Sequence, residues 1–264
     1  MLLAIDVGNT NIVLGVFRTS DWEIVHSWRL TTLRERTADE LGILVTSLCE
    51  RHRVQPSAVT GIVLGSVVPP LTSTMVNMVV NYFGRWPLVV DPAANSGMPI
   101  LYENPAEVGA DRVVNGIAAY EAYGRQPVRP VIVVDFGTAT TFDAISARGE
   151  YLGGVICPGP QISADALFQR AARLPRIDVR KPAQVIGRTT VSSMQAGLFW
   201  GYVDMVEGLV RRIREELQGD PVVVATGGLA VLVSPETSLI DHVDPELTLR
   251  GLQIVWARNQ TGGA

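Results

Sequence analysis

The feature that most constrains the fold is a strand–turn–strand motif that occurs twice in the chain. The first copy spans Leu2–Gly15 and the second spans Val131–Asp143. In each copy an apolar strand ends in an aspartate, followed by one spacer residue, a glycine, a polar turn and a second strand. The aspartates, Asp6 and Asp135, lie 129 positions apart (135 − 6), close to half of the 264 residues. The repeat predicts two similar lobes with a cleft between them.

The first lobe is expected over residues 1–124 and the second over 125–264, with a terminal helix that can pack back on the first lobe. The apolar and polar patterns predict the order βββαβαβ in the first lobe, which is typical of a mixed sheet with crossover helices. The predicted elements of the first lobe are strands at 2–7, 12–17, 23–30, 61–67 and 87–90 and helices at 38–52, 71–83 and 106–123. Those of the second lobe are strands at 131–134, 140–146, 150–157 and 221–225 and helices at 163–173, 190–218 and 245–258.

The residue types in the two turns favour phosphate binding. Glycines at positions 8 and 137 allow backbone N–H groups to approach an anion closely, and an aspartate beside them can hold a hydrated cation. An ordinary hairpin turn is the alternative, because Asn, Gly and Thr are common turn formers. Two observations favour the phosphate interpretation: a carboxylate at the end of a buried strand needs a partner, and the motif is repeated.

Composition excludes several other classes. The formal net charge is −4 and no basic stripe is visible, which argues against a nucleic-acid binder. Lys181 is the one lysine and no Gly-Lys pair occurs, so a Walker A loop is excluded. The three histidines are scattered without metal-ligand spacing, and no uncharged apolar run is long enough to span a bilayer. Cys49 and Cys157 are far apart, and with no secretory signal we expect reduced thiols and a cytoplasmic protein.

Three further segments have both a structural and a functional interpretation. Residues Gly109–Arg112 follow a loop and begin a helix, where an aspartate can accept a proton from a substrate alcohol; a surface ion pair is the alternative. Thr226-Gly227-Gly228 is either a helix start capped by threonine or a flat backbone surface for a nucleotide. Gly153–Pro160 is either a tight strand end or backbone placed against a substrate, in which Cys157 is a packed residue.

Taken together, these motifs resemble the type III pantothenate kinase family, within the superfamily of actin, sugar kinases and Hsp70 ATPases. The segments that carry the resemblance are Asp6–Asn11, Thr37–Glu40, Glu107–Arg112, Asn115, Asp135–Thr141 and Gly153–Gly159. The resemblance runs from Met1 to the helix after Thr190. It implies an α/β, duplicated actin-like (ribonuclease H-like) fold with two lobes, and ATP-dependent phosphorylation of pantothenate to 4′-phosphopantothenate, the first step of coenzyme A synthesis.

The resemblance also implies roles for individual residues. Asp111 is the expected general base. The expected ATP-binding residues are Asp6, Val7, Gly8, Asn9, Thr10, Asn11, Ile12, Val13 and Thr138, with Asp6 helping to place Mg²⁺. The expected pantothenate-binding residues are Tyr102, Gly109, Ala110, Asp111, Arg112 and Thr190.

Two expectations concern a cation and an assembly. Asp135 is expected to bind the monovalent cation, K⁺ or NH₄⁺, that the family requires. The family is dimeric, so Thr190 is expected to reach the pantothenate site of the neighbouring subunit. No nucleic acid and no membrane are expected as partners.

Three alternatives stay open from the sequence. One is another small-molecule kinase of the same superfamily. A second is a non-catalytic regulatory relative, such as an accessory factor for transcription, against which the intact Asp6, Asp111 and Asp135 argue. A third is a polymerising actin-like protein, for which the chain is short.

Overall fold

The first copy of the motif forms the middle of a five-stranded sheet in the computed structural model, which describes residues 1–261. The strands are β1 (Leu2–Val7), β2 (Asn11–Phe17), β3 (Ile24–Thr31), β4 (Gly61–Ser66) and β5 (Leu88–Val89). Their order is β3-β2-β1-β4-β5; β1, β2 and β3 pair antiparallel, whereas β4 is parallel to β1 and β5 to β4. The helices of this part are α1 (Ala38–Arg51), α2 (Pro69–Phe83) and α3 (Ala110–Ala119).

The local sequence determines where helices α1 and α2 begin and end. Thr37 and Glu40 form a capping box in which each side chain accepts a hydrogen bond from the backbone N–H of the other residue, so α1 begins where predicted. Helix α2 begins at Pro69, earlier than predicted, because a proline in the first helical turn lacks only an N–H that the helix does not use. It ends at Gly84 in the left-handed conformation, with φ 63°.

The second copy of the motif builds a sheet of the same topology. Its strands are β6 (Val131–Phe136), β7 (Ala139–Ile145), β8 (Tyr151–Pro158), β9 (Val222–Gly227) and β10 (His242–Val243), in the order β10-β9-β6-β7-β8. Its helices are α4 (Pro160–Arg170), α5 (Thr190–Glu216) and α6 (Ala230–Val233). Strands β6 to β10 thus repeat β1 to β5 one for one, which confirms the predicted duplicated α/β fold with mixed sheets.

Two predicted helix starts differ from the structure near the candidate site. The helix expected from residue 106 begins at Ala110, because Val108 is extended (φ −78°, ψ 123°) and residues Pro105–Glu107 form a separate 3-10 turn. Thr226-Gly227 does not open a helix: both residues complete β9, since Thr226 pairs with Asp135 of β6 in the parallel ladder. Helix α6 follows only at Ala230.

The C-terminal helix α7 (Leu247–Thr261) packs on the first sheet. Three side chains of α7 lie against glycines of the strands, at positions where a Cβ atom would collide with them. Leu249 lies against Gly15, Leu252 against Gly65 and Trp256 against Gly61. The chain therefore divides into a first unit of Met1–Ala118 with α7 and a second unit of Ala119–Glu246. The sequence placed the division at residue 124 and allowed the terminal helix to pack back on the first lobe.

Each unit has its own apolar core. In the first unit the core lies between the sheet and helices α1 and α2, and Leu3, Ile5 and Leu41 are among its fully buried members. In the second unit Phe142 and Val134 of the sheet pack against Phe199 and Val206 of α5. Within residues 1–261, no helix combines the length and apolar character needed to cross a membrane.

Candidate active site

The turn after β1 is closed by its own backbone and by the end of β3. The Gly8 N–H donates to the Asn11 carbonyl at 3.0 Å, and a Cβ atom at Gly8 would lie 3.1 Å from that oxygen. The Thr32 hydroxyl donates to the Gly8 carbonyl at 2.7 Å, and the Thr32 N–H donates to the Thr10 carbonyl at 3.0 Å. These bonds leave Asn9 and Thr10 exposed at the tip, as a phosphate-binding turn requires.

The other residues of this turn that were predicted to bind ATP differ in how deeply they are buried. The side chains of Val7 and Ile12 are fully buried in the core, so contact with a nucleotide could come only from their backbone. Asp6 and Val13 are opposite one another in the ladder, and both are half-buried. Asp6 also pairs with Gly65 of β4, where a Cβ atom would lie 3.9 Å from the Asp6 carboxylate.

Asp111 is brought close to this turn within the first unit. It is the second residue of α3, and its Oδ1 accepts a hydrogen bond from the Arg112 N–H at 2.8 Å. A Cβ atom at Gly109 would lie 2.5 Å from that Oδ1 and 3.3 Å from the Val67 side chain. Val67 in turn donates its N–H to the carbonyl of Val7 at 3.1 Å. The Asp111 carboxylate and the Val67 side chain therefore both lie beside Gly109, and Val67 is hydrogen-bonded to the residue before Gly8.

The surroundings of Asp111 make it a stronger base than an exposed aspartate. Burial raises the pKa of the Asp111 carboxyl, and the hydrogen bond from the Arg112 backbone and the Arg112 charge oppose that shift only in part. Arg112 itself is buried beside it. A carboxylate with a raised pKa accepts a proton more readily from an alcohol.

Three other predicted substrate-binding residues precede Asp111 in the chain. Ala110 is buried at the start of α3, and Gly109 is half-buried directly before it. Tyr102 is half-buried in the segment leading to the 3-10 turn, which Asn104 caps by accepting from the Ala106 N–H at 3.3 Å. These residues lie on the segment that enters α3.

In the second unit, Asp135 occupies the position that corresponds to Asp6. Its carboxylate lies 2.5 Å from where a Cβ atom of Gly227 would be and 3.6 Å from that of Gly137. Gly227 has φ 89°, so both its backbone conformation and the adjacent carboxylate exclude a side chain there. Thr138 is exposed in the turn, and its carbonyl accepts from the Gly159 N–H at 3.1 Å.

Thr190 lies elsewhere in the second unit. It is the first residue of α5, exposed, and preceded by a capping box between Thr189 and Ser192. A pocket of about 460 Å³ adjoins this helix start, with Arg188, Ser192 and Gln195 among its lining residues.

Sequence reasoning missed a buried acid near Asp135. Asp143 is fully buried on β7 and accepts hydrogen bonds from the Tyr151 hydroxyl at 2.7 Å and the Thr141 hydroxyl at 3.2 Å. Thr141 lies directly opposite Asp135 in the ladder. The available signal was a charged residue inside an otherwise apolar strand. Asn115 was noted in the sequence but given no role; it accepts a hydrogen bond from the Thr248 hydroxyl at 2.8 Å.

The donor set suits metals that keep water or phosphate as ligands. In the part of the chain that the structure describes, no group of three or more His, Cys, Asp and Glu residues could hold a metal ion. Asp6 and Asp135 instead each offer one carboxylate next to glycine backbone. Mg²⁺ in phosphate-transferring sites is held in this way, by one or two carboxylates together with substrate phosphates and water.

Comparison with solved structures defines the class of fold. The chain superimposes on an inorganic polyphosphate/ATP-glucomannokinase from Arthrobacter sp. strain KM with a TM-score of 0.56 and 17% identity, covering 98% of both chains. It superimposes on a Campylobacter jejuni protein described as a Baf family transcriptional activator with a TM-score of 0.61 and 18% identity, covering 98% of this chain and 99% of that one. At these identities the likeness shows the fold, which is that of the actin-like sugar kinases.

Sequence relatives narrow the class to one family. The family model for type III pantothenate kinase matches residues 2–212. The type III pantothenate kinase of Moorella thermoacetica is 54% identical over 259 residues, 98% of this chain and 100% of that protein. That of Myxococcus xanthus is 55% identical over 260 residues, 98% of this chain and 99% of that protein. The chain belongs to the type III pantothenate kinase family.

The raised pKa of Asp111 predicts a pH-dependent gain in stability for Asp111→Asn. Between its ordinary pKa and the raised one, the folded protein binds the Asp111 proton more tightly than the unfolded chain does. This contribution to stability is complete below the ordinary pKa and is lost as the pH rises through the raised pKa. We therefore expect Asp111→Asn to unfold at a higher denaturant concentration than the wild type at pH 8.

The difference in stability between the variant and the wild type should shrink as the pH falls toward 4, because Asp111 then becomes protonated in the unfolded chain as well as in the folded protein. Urea unfolding followed by circular dichroism at several pH values measures it, with the exposed Asp220→Asn as the matched control. A variant that is equally or less stable than the wild type at pH 8 would show that ionised Asp111 is not penalised by burial.

Proposed function

We propose that this protein transfers the γ-phosphoryl group of ATP to the hydroxyl of pantothenate and that Asp111 is the general base. The observation that supports this assignment is that Asp111 and Val67 both lie beside Gly109 and that Val67 is hydrogen-bonded to Val7, the residue before Gly8. A buried carboxylate near a glycine turn is what an alcohol kinase needs, since the base must lie close to the phosphate. The product is 4′-phosphopantothenate, made in the first step of coenzyme A synthesis.

The turn from Asp6 to Val13 binds the ATP phosphates. Backbone N–H groups and the exposed Asn9 and Thr10 are the donors, since Val7 and Ile12 are buried. Thr138, exposed in the equivalent turn of the second unit, contacts a further phosphate oxygen. Mg²⁺, placed with the help of Asp6, neutralises the charge that develops on the phosphate oxygens when it is bound with ATP.

The chemical step needs alignment and one proton acceptor. The hydroxyl oxygen of pantothenate forms a bond to the γ-phosphorus, the bond from that phosphorus to the β–γ bridging oxygen breaks, and ADP leaves. The hydroxyl proton passes to the Asp111 carboxylate. Arg112 steadies the acidic group of pantothenate, and Tyr102, Gly109 and Ala110 line its pocket.

Asp135 binds the monovalent cation, K⁺ or NH₄⁺. Support comes from the glycines at positions 137 and 227, which let the backbone approach the Asp135 carboxylate closely: a Cβ atom at Gly227 would lie 2.5 Å from it. Thr141 and Thr226 are the ladder partners of Asp135 on the two neighbouring strands, so two residues with hydroxyl groups flank it.

The active assembly is a homodimer in the cytoplasm, in which Thr190 reaches the pantothenate site of the neighbouring subunit. Its support is a set of exposed apolar side chains on the second unit, in β8, α4 and the segment leading into α5. They are Ile156, Ile162, Leu167, Phe168, Val185, Ile186 and Val191. A contiguous apolar patch marks an interface, and the proposal requires these side chains to form one.

Asp111→Asn tests the role of the base. Loss of a positioned general base typically lowers turnover on the order of 10²–10⁴-fold, so we expect kcat to fall by about 100-fold or more. ATP affinity should stay close to that of the wild type, because the phosphate turn is intact. Steady-state ADP release and ATP titration measure the two quantities, with Asp220→Asn as the control. Near-normal turnover in folded Asp111→Asn would remove Asp111 from this role.

The cation proposal predicts that activity needs K⁺ or NH₄⁺. We expect ADP release to fall when K⁺ is replaced by tetramethylammonium, because its methyl groups keep its charge away from the Asp135 carboxylate. K⁺ should also raise the melting temperature of the wild type and not that of Asp135→Asn, since a ligand at about 100 times its Kd stabilises by about 2.7 kcal/mol. Equal activity in both salts, with no thermal shift, would contradict the cation site.

Mixed dimers test whether Thr190 acts across the interface. Asp111→Asn and Thr190→Ala are each expected to be nearly inactive alone. When the two variants are unfolded together and refolded, a mixed dimer contains one site with both intact residues only if Thr190 comes from the partner. We then expect recovery of about a quarter of the wild-type activity. Without recovery in a confirmed mixed dimer, Thr190 does not act in trans.

A further inference from the structure

Helix α7 contacts the helix that carries Asp111. The Thr248 hydroxyl, in the first turn of α7, donates to the Asn115 Oδ1 at 2.8 Å. Asn115 is 1% exposed, so this hydrogen bond satisfies an amide that water does not reach. One turn further along α7, Gly251 lies against the carbonyl of Val114, with which any Cβ atom would collide. The two helices therefore meet at a fixed crossing.

Asn115 is placed to influence Asp111. The two residues are four positions apart in α3, so their side chains lie on the same face of the helix. Side chains in a helix lean toward its N-terminus, which brings the Asn115 amide toward the turn that begins with Asp111. The helix start cannot shift along its axis without breaking the bond to Thr248.

Helix α7 also contacts the strands that carry the phosphate turn. Leu249 lies against Gly15 of β2, and Leu252 lies 2.9 Å from where a Cβ atom of Gly65 would be. Gly65 is the ladder partner of Asp6. One helix is thus in contact both with the neighbours of Asp6 and with the helix of Asp111.

We propose that Thr248, acting through Asn115, is a positioning residue that holds Asp111 in register with the phosphate turn. This inference rests on the proposed function and assigns a role to the C-terminal helix. Misplacement of a reacting group by about 1 Å costs on the order of 100-fold in rate, so a small shift of α3 has a large effect on turnover.

Thr248→Val tests the proposal, because it keeps the shape of the side chain and removes the hydroxyl. We expect kcat to fall by about tenfold or more, while KM for ATP changes by less than about twofold, since the phosphate turn is untouched. Thr248→Ser keeps the donor and should restore most of the turnover. Turnover is expressed per folded molecule, measured by circular dichroism, because a loss of stability alone lowers the folded fraction and leaves the kcat of the folded molecules unchanged.

Trp256→Phe is the matched control in the same helix. Trp256 packs against Gly61 at the start of β4, at the end of the strand away from Ser66 and Val67. We expect Thr248→Val and Trp256→Phe each to lower the melting temperature by about 2–6 °C, and only Thr248→Val to lose turnover.

Three results would overturn the proposal. They are wild-type turnover in Thr248→Val, an equal loss in Thr248→Ser, and an equal loss in Trp256→Phe. Failure of the proposed function is distinct from these, because it would appear as a wild-type protein that releases no ADP with pantothenate; that result overturns both proposals.

Discussion

The arrangement of this protein depends on carboxylates placed at the ends of buried central strands. Asp6 and Asp135 each follow a run of fully buried apolar residues, where an uncompensated charge is costly. In each sheet the neighbouring parallel strand supplies a glycine beside the carboxylate, Gly65 in one and Gly227 in the other. Both glycines bring backbone close to a carboxylate, and carboxylate and backbone oxygens are the ligands that hard cations take. The same arrangement occurs once in each sheet, and our proposal for the binding of phosphate and cations rests on it.

The burial of Asp111 lowers the stability of the folded protein and raises the basicity of its carboxylate. Its burial raises its pKa, which makes the ionised form unfavourable in the folded protein but a better proton acceptor. The contacts around it are correspondingly tight: Gly109 leaves no room for a side chain, and Asn115 with Thr248 secures the helix one turn further on. A free exposed aspartate would cost less stability and accept protons less readily. Family membership places this carboxylate in a kinase, in which alignment is the main requirement.

Much of this could be predicted from the sequence, because the informative signals are local. The duplicated motif predicted both sheets, the capping box at Thr37 fixed the start of α1, and the Asp-x-Gly turns are the basis of the proposed phosphate sites. Other features depend on tertiary packing. The helix break before Ala110 follows from an extended Val108, and Thr226 is a strand residue because β6 pairs with it. The Thr248–Asn115 bond joins residues 133 positions apart, which no local pattern encodes.

The central claim is that the chain phosphorylates pantothenate at the site beside Asp111. The most direct measurement is ADP release by the purified protein with MgATP in K⁺, with and without pantothenate, together with mass analysis of the product. We predict ADP release that requires pantothenate and the formation of 4′-phosphopantothenate in equal amount. A folded protein that releases ADP equally without pantothenate, or that releases none in its presence, would contradict the account.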